Sequence, residues 1–264
     1  MKSRLLVAAA GIPVLLWVIL WAPLIVLEFT IALLSAIGAY ELMKCVGAQE
    51  SWRVGTAAAT FLTMILSEMV GSQCFIPMVM GCIIGIFAIA VLKAGVIRWK
   101  EISTAIFALV VIPYAFASFL RLEDMGYHRA FLLLPLIFSF SSDTGAYFAG
   151  RALGRHKLAP KVSPNKTVEG SIGGLLGNAV GGGIFAGVMN VYFEQSIDLI
   201  GIVILGIFCS VIAQLGDLSF SLIKREFGIK DYGNLFLAHG GVLDRFDSVL
   251  FVAPVLALIM PWLL

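Results

Sequence analysis

Residues 221–247 read Ser221-Leu-Ile-Lys224-Arg225-Glu226-Phe-Gly-Ile-Lys230-Asp231-Tyr-Gly233-Asn-Leu-Phe-Leu-Ala-His239-Gly240-Gly241-Val-Leu-Asp244-Arg245-Phe-Asp247. Five acids or bases fall between Lys224 and Asp231, and Asp244, Arg245 and Asp247 close the stretch. The chain around it avoids charge. It is 60% apolar and 13% charged, against roughly 45–50% and about 25% in soluble domains. A soluble chain of this length has too much surface to cover for such a composition. The sequence therefore describes an all-α, polytopic membrane protein that keeps its charge for chemistry.

Working outward, apolar runs near the ~20 residues that span a bilayer give nine expected helices. They are Leu5–Ala22, Leu24–Val46, Val54–Val70, Cys74–Leu92, Ile102–Leu120 with a kink at Pro113, Ala130–Gly150, Ser171–Tyr192, Leu199–Lys224 and Ser248–Leu264. With the N-terminus inside and the C-terminus outside, all but two of the 18 Lys and Arg residues fall on the cytoplasmic side, as the positive-inside rule requires. The apolar stretch after Met1-Lys-Ser-Arg4 is too long for a signal peptide and reads as a retained first helix. The longest polar connections, 151–170 and 225–247, share the cytoplasmic face. Residues 1–129 read as scaffold helices and 130–264 as the catalytic region of one membrane domain. Cys45, Cys74, Cys82 and Cys209 stand singly in apolar runs, so neither a disulfide framework nor a thiolate metal site is expected.

Gln214, Asp217, Ser221, Lys224 and Arg225 recur at helical spacing and share one helix face. A charged Asp217 facing lipid would cost several kcal/mol. It either pairs with a base such as Lys224 or ligates a metal. Asp244, Asp247 and Ser248 repeat the pattern at the mouth of the last helix, where Asp244 is also placed to cap. Carboxylates without His or Cys neighbours suit Mg2+. His239 before Gly240 and Gly241 can touch an oxyanion or shape the turn, and the two glycines let backbone amides approach phosphate. Asp143 lies inside the sixth helix. The loop after it carries Lys161, Ser163, Lys166, Thr167 and Glu169 ahead of Gly170, a basic, hydroxyl-rich entry into a helix that suits phosphate. Glycines 170, 173, 174, 177 and 181–183 read as a close-packing surface of the seventh helix.

At these positions the chain resembles the CDP-diacylglycerol synthase (phosphatidate cytidylyltransferase) family. The family signature is met by Ser221, Lys224, Arg225, Lys230, Asp231, Gly233, His239, Gly240, Gly241, Asp244, Arg245 and Asp247. The runs Ser142-Asp143-Thr-Gly-Ala-Tyr-Phe and Ser163-Pro-Asn-Lys166-Thr167-Val-Glu169-Gly170 also look like the family. One departure is Leu237, two residues before His239, where the family usually has Pro or Gly. The resemblance implies transfer of the cytidylyl group of CTP to phosphatidic acid, with release of pyrophosphate. It implies Asp217, Asp244 and Asp247 as metal ligands for Mg2+, a second cation such as K+, and Lys224 and Arg225 beside them. It implies Asp143, Ser163, Lys166, Thr167, Glu169, Ser221, Lys230, Asp231, His239, Gly240, Gly241 and Arg245 as substrate contacts. It also implies a bacterial inner membrane, a cytoplasmic active site and a homodimer; no nucleic acid is expected as partner. Two other readings stay open at this point. One is a CTP-dependent cytidylyltransferase or kinase for another lipid. The other is an ion transporter, since intramembrane carboxylates also mark ion paths.

Overall fold

The computed structural model describes residues 11, 13–235 and 240–263. His239, Leu237 and much of the first expected span lie outside the described residues; 13–20 are helical. The helices that follow are α1 (Leu24–Cys45), α2 (Glu50–Val70), α3 (Phe75–Leu92), α4 (Trp99–Phe116), α5 (Ser118–Asp124) and α6 (Leu134–Leu153). A hairpin of β1 (Lys157–Ala159) and β2 (Ser163–Thr167) leads into α7 (Val168–Tyr192). Then come α8 (Leu199–Glu226), the short α9 (Leu243–Phe246) and α10 (Val249–Leu263). The protein is an all-α polytopic membrane protein. Among the described residues, six helical stretches are long and apolar enough to cross a bilayer, and Val249–Trp262 is a shorter apolar helix. In Ser72–Leu92 only 11% of the apolar window is buried. So much uncovered apolar surface suits lipid and not water.

Contacts divide the chain into two units. The first comprises residues up to Leu120 together with Phe227–Arg245. Here α1 packs on α2 and α4, around Met43, Val46, Ile102, Ala105 and Leu109. Gly38 lets α1 close against Ile112 of α4 and Leu243 of α9, whose methyls lie 3.4 and 3.1 Å from where a Cβ would stand. The expected fifth helix breaks into two at Ala117, just past Pro113, whose carbonyl accepts the Ala117 amide at 2.8 Å.

The second unit comprises Arg121–Glu226 and Phe246–Leu264. Here α6, α7, α8 and α10 pack together. The expected seventh helix starts earlier, at Val168, because the Thr167 side chain caps it by accepting the Gly170 amide at 3.1 Å. The glycine surface does what its spacing predicts. A Cβ on Gly145 of α6 would strike the Gly173 carbonyl of α7 and stand 3.2 Å from Gly177 Cα. The two backbones meet with nothing between them, as small residues permit in membranes. Polar side chains inside this unit bond to one another. Ser142 and Ser210 share a hydrogen bond of 2.7 Å, Gln214 donates to Ser210 Oγ at 3.3 Å, and Ser171 donates to Gln214 Oε1 at 2.5 Å.

Candidate active site

In the second unit, a cavity of about 530 Å³ opens between α6, β2, the start of α7, and α8. Its size is ordinary for a small-molecule site. Asp143, Tyr147 and Arg151 line it from one face of α6, four residues apart. Asn165, Lys166 and Thr167 come from β2, Ser171 from α7, and Gln214 and Asp217 from α8. The Lys166 ammonium reaches across to Asp217 Oδ2 at 2.5 Å. Ser221, one turn on, donates to Asp217 Oδ1 at 3.2 Å. Lys166, which the sequence places in the hydroxyl-rich loop, is thus a base for Asp217.

Asp247 belongs to the same unit and is 9% exposed. Burial pushes its carboxyl from 3.8 up to about 7, and the Asp217 and Asp143 carboxylates push the same way. The Ser248 amide, donating to Asp247 Oδ1 at 2.8 Å, and the buried Lys224 act in the opposite direction. The approach of α10 to α8 depends on Gly216, where a Cβ would stand 2.8 Å from the Asp247 carbonyl oxygen. Three carboxylates from α6, α8 and the α10 entrance thus influence one another inside one unit. A cluster of that kind is stabilised by added positive charge.

Not every expected residue of this unit faces the cavity. Glu169 turns back on the hairpin, where Oε2 accepts the Arg155 amide at 3.0 Å and Oε1 meets His156 Nδ1 at 2.6 Å. Ser163 pairs with Ala159 in the ladder and does not line the cavity. The exposed Arg225 donates through Nε to the Val162 carbonyl at 3.2 Å, tying the end of α8 to the hairpin. Five polar lining residues are not among the expected site residues: Tyr147, Arg151, Asn165, Ser171 and Gln214. For Tyr147 and Arg151 the signal was present, since they follow Asp143 at steps of four.

The remaining expected residues belong to the first unit. Asp244 Oδ2 accepts the Tyr232 amide at 2.8 Å and the Gly241 amide at 2.9 Å, which brings both backbone positions onto one carboxylate oxygen. Gly240 takes a positive φ of 81° against the Asp244 side chain, a conformation that suits glycine. Lys230, Asp231 and Arg245 stand exposed. Among the described residues, no group of three or more His, Cys, Asp or Glu side chains is arranged to hold a metal by itself.

Comparison with known proteins supports the signature read at 221–247. The phosphatidate cytidylyltransferase of Bacillus subtilis is 35% identical over 167 residues, 63% of this chain and 61% of that protein. That of Staphylococcus saprophyticus is 40% identical over 159 residues, 59% of each chain. That of Haemophilus influenzae is 47% identical over 139 residues, 51% of this chain and 48% of that protein. The chain thus matches about half to three-fifths of the length of these relatives. The model of the cytidylyltransferase family matches residues 2–263, nearly the whole sequence that carries the carboxylate cluster and the amide bonds to Asp244, and the chain belongs to that family.

Proposed function

We propose that the protein transfers the cytidylyl group of CTP to phosphatidic acid, giving CDP-diacylglycerol and pyrophosphate. The observation that carries this reading is a cavity with acids and bases on facing walls, in a chain of the cytidylyltransferase family. Lys166 of β2 faces Asp217 of α8, Asp143 and Arg151 line the same cavity from α6, and the relatives bear the name of this activity. In the reaction, a phosphate oxygen of phosphatidate attacks the α-phosphorus of CTP. A new P–O bond forms, the bond to the β-phosphate breaks, and pyrophosphate leaves with its electron pair. The attacking oxygen is already anionic near neutral pH, so no strong general base is needed. Positioning and charge neutralisation are the work to be done. Lys166 and Arg151 supply positive charge at the cavity wall, and Lys224 supplies it beside Asp247.

The donor set fits Mg2+. Asp217 already takes an ammonium ion on one oxygen, and Asp247 is a buried carboxylate held among other carboxylates. Asp217 and Asp247 would hold the ion, and the sequence adds Asp244, three residues before Asp247. So few protein ligands accord with Mg2+, which keeps water and substrate phosphates in its coordination sphere. When bound, it supplies positive charge against the triphosphate. K+ as a second cation, a homodimer, the nine-helix topology with the N-terminus inside, and a cytoplasm-facing site in a bacterial inner membrane complete the proposal. The distribution of Lys and Arg supports the orientation.

The test is purified protein in lipid nanodiscs with CTP, phosphatidate and Mg2+, followed by pyrophosphate release and lipid product analysis. Pyrophosphate released together with CDP-diacylglycerol supports the proposal. CDP released instead would identify a CTP-dependent kinase. Turnover only with another lipid phosphate would relocate the substrate.

A further inference from the structure

Glu41 of α1 is a carboxylate that the reaction above does not use. It is 4% exposed and lies in the half of the chain that reads as scaffold. Its two oxygens have separate partners: Oε1 accepts the Val242 amide at 3.0 Å, and Oε2 accepts the Leu243 amide at 3.0 Å. Those amides open the short helix α9, where backbone N–H groups have no intrahelical acceptor.

The glycines of the same loop are shaped around this carboxylate. A Cβ on Gly233 would stand 2.8 Å from Glu41 Cδ, and a Cβ on Gly241 would fall on the carboxylate itself. Gly233 has no positive φ, so the space taken by Glu41 accounts for the missing side chain there. The loop is therefore held twice. Asp244 accepts the amides of Tyr232 and Gly241, and Glu41 accepts the next two.

We infer that Glu41 is a positioning residue for the reaction: its carboxylate fixes the Gly240–Leu243 backbone and thereby the orientation of Asp244. No contact with substrate or metal is assigned to it. The catalytic consequence rests on the role given to Asp244 above; the structural consequence does not. Both required acceptors are oxygens, so glutamine in the same place must turn an amide N–H toward a backbone N–H. Aspartate would fall one methylene short.

The test compares native protein with Glu41→Gln in nanodiscs. Amide hydrogen exchange is read on peptides covering 240–246, with peptides from α8 as internal reference. Turnover per folded molecule is read at saturating CTP, phosphatidate and Mg2+. The expected result is exchange at least tenfold faster at 240–246, unchanged in α8, with kcat down tenfold or more and KM for CTP within threefold. A merely structural role would lower the yield of folded protein and leave kcat per folded molecule alone. Unchanged exchange overturns the inference, as does faster exchange with kcat within twofold of native. If the native protein makes no CDP-diacylglycerol, the proposed function fails, and exchange at 240–246 still decides whether Glu41 holds the loop. Should Glu41→Gln not fold, Gly233→Ala displaces the same carboxylate and is expected to give the same pair of changes. A Gly233→Ala protein with native exchange and native kcat overturns the inference equally.

Discussion

Replacing Gly145 by alanine adds one methyl group to α6, and the structure says where it must go. The Cβ would meet the Gly173 carbonyl oxygen, with Gly173 C at 3.1 Å and Gly177 Cα at 3.2 Å. All three atoms are backbone of α7, so no side chain can swing away and the helices themselves must part. Overpacking of this kind costs about 1–3 kcal/mol. For a chain of this size that is roughly 2–4 °C in midpoint per kcal/mol. The same separation moves Asp143, two residues before Gly145, away from Lys166 and Thr167 on the opposite wall. A misplacement near 1 Å can cost about a hundredfold in rate, so turnover is expected to fall more steeply than stability. The control is Gly187→Ala, also in α7, where a Cβ would meet nothing within 4 Å. That change is expected to leave activity native, and to gain up to about 1 kcal/mol from helix propensity. Thermal unfolding and pyrophosphate release in nanodiscs read both effects. Native midpoint and native turnover in Gly145→Ala would refute the close approach of α6 and α7 on which the cavity depends.

Asp217→Ala and Asp244→Ala are each expected to bring CTP-dependent turnover below about a thousandth of native while the protein stays folded, by thermal unfolding; substantial activity in either would remove that carboxylate from the ligand set. Lys166→Met leaves Asp217 without its partner in a half-buried pair, and kcat/KM for CTP is expected to fall about ten- to a hundredfold, against less than threefold for the exposed Lys157→Met. In EDTA, the folded protein holds the Asp247 proton up to about pH 7, where the unfolded chain releases it near 3.8. The folded state therefore binds more protons between those values, and stability is expected to fall as pH rises through that window and level off above it. Mg2+ at pH 8 should restore the lost stability. Midpoints measured from pH 5 to 8 should show a shallower slope in Asp247→Asn; equal slopes would assign the titration elsewhere.

How far the sequence carries depends on the range of the interactions. Helices could be read because each is a local apolar run, and their errors are at ends set by a single bond, as where Thr167 starts α7 three residues before Ser171. The hairpin 157–167 reads as loop because its strands have three and five residues and contain Pro164, too short for an alternating pattern to emerge. Arg151 is ambiguous in kind. A base at a cytoplasmic helix end satisfies the positive-inside rule whether or not it also faces a cavity, and only its spacing from Asp143 and Tyr147 separates the two. Lys166 and Asp217 are both visible as chemistry, yet which base meets which acid depends on how β2 lies over α8. Glu41 is the far limit: its partners are 201 and 202 residues away, and in sequence it is one acid near the end of one helix.

Glycine is what lets charge and helices share this fold. In a soluble enzyme, water fills the gaps around an acidic site; within a bilayer, every carboxylate needs a protein donor or cation close by, or it pays a desolvation cost of several kcal/mol. Close approach then requires backbone without side chains at defined points. Gly216 admits the Asp247 carbonyl beside Asp217. Gly233 and Gly241 leave the volume that Glu41 fills, and Gly145 with Gly173 brings α6 against the helix that follows Lys166. Each of these glycines meets backbone or the Glu41 carboxylate at close range, whereas Gly11, Gly55, Gly81, Gly85 and Gly187 face open space. The glycines that matter for function are therefore identified by what their absent Cβ would strike, and the same criterion ties Glu41, in the scaffold half of the chain, to the loop that carries Asp244.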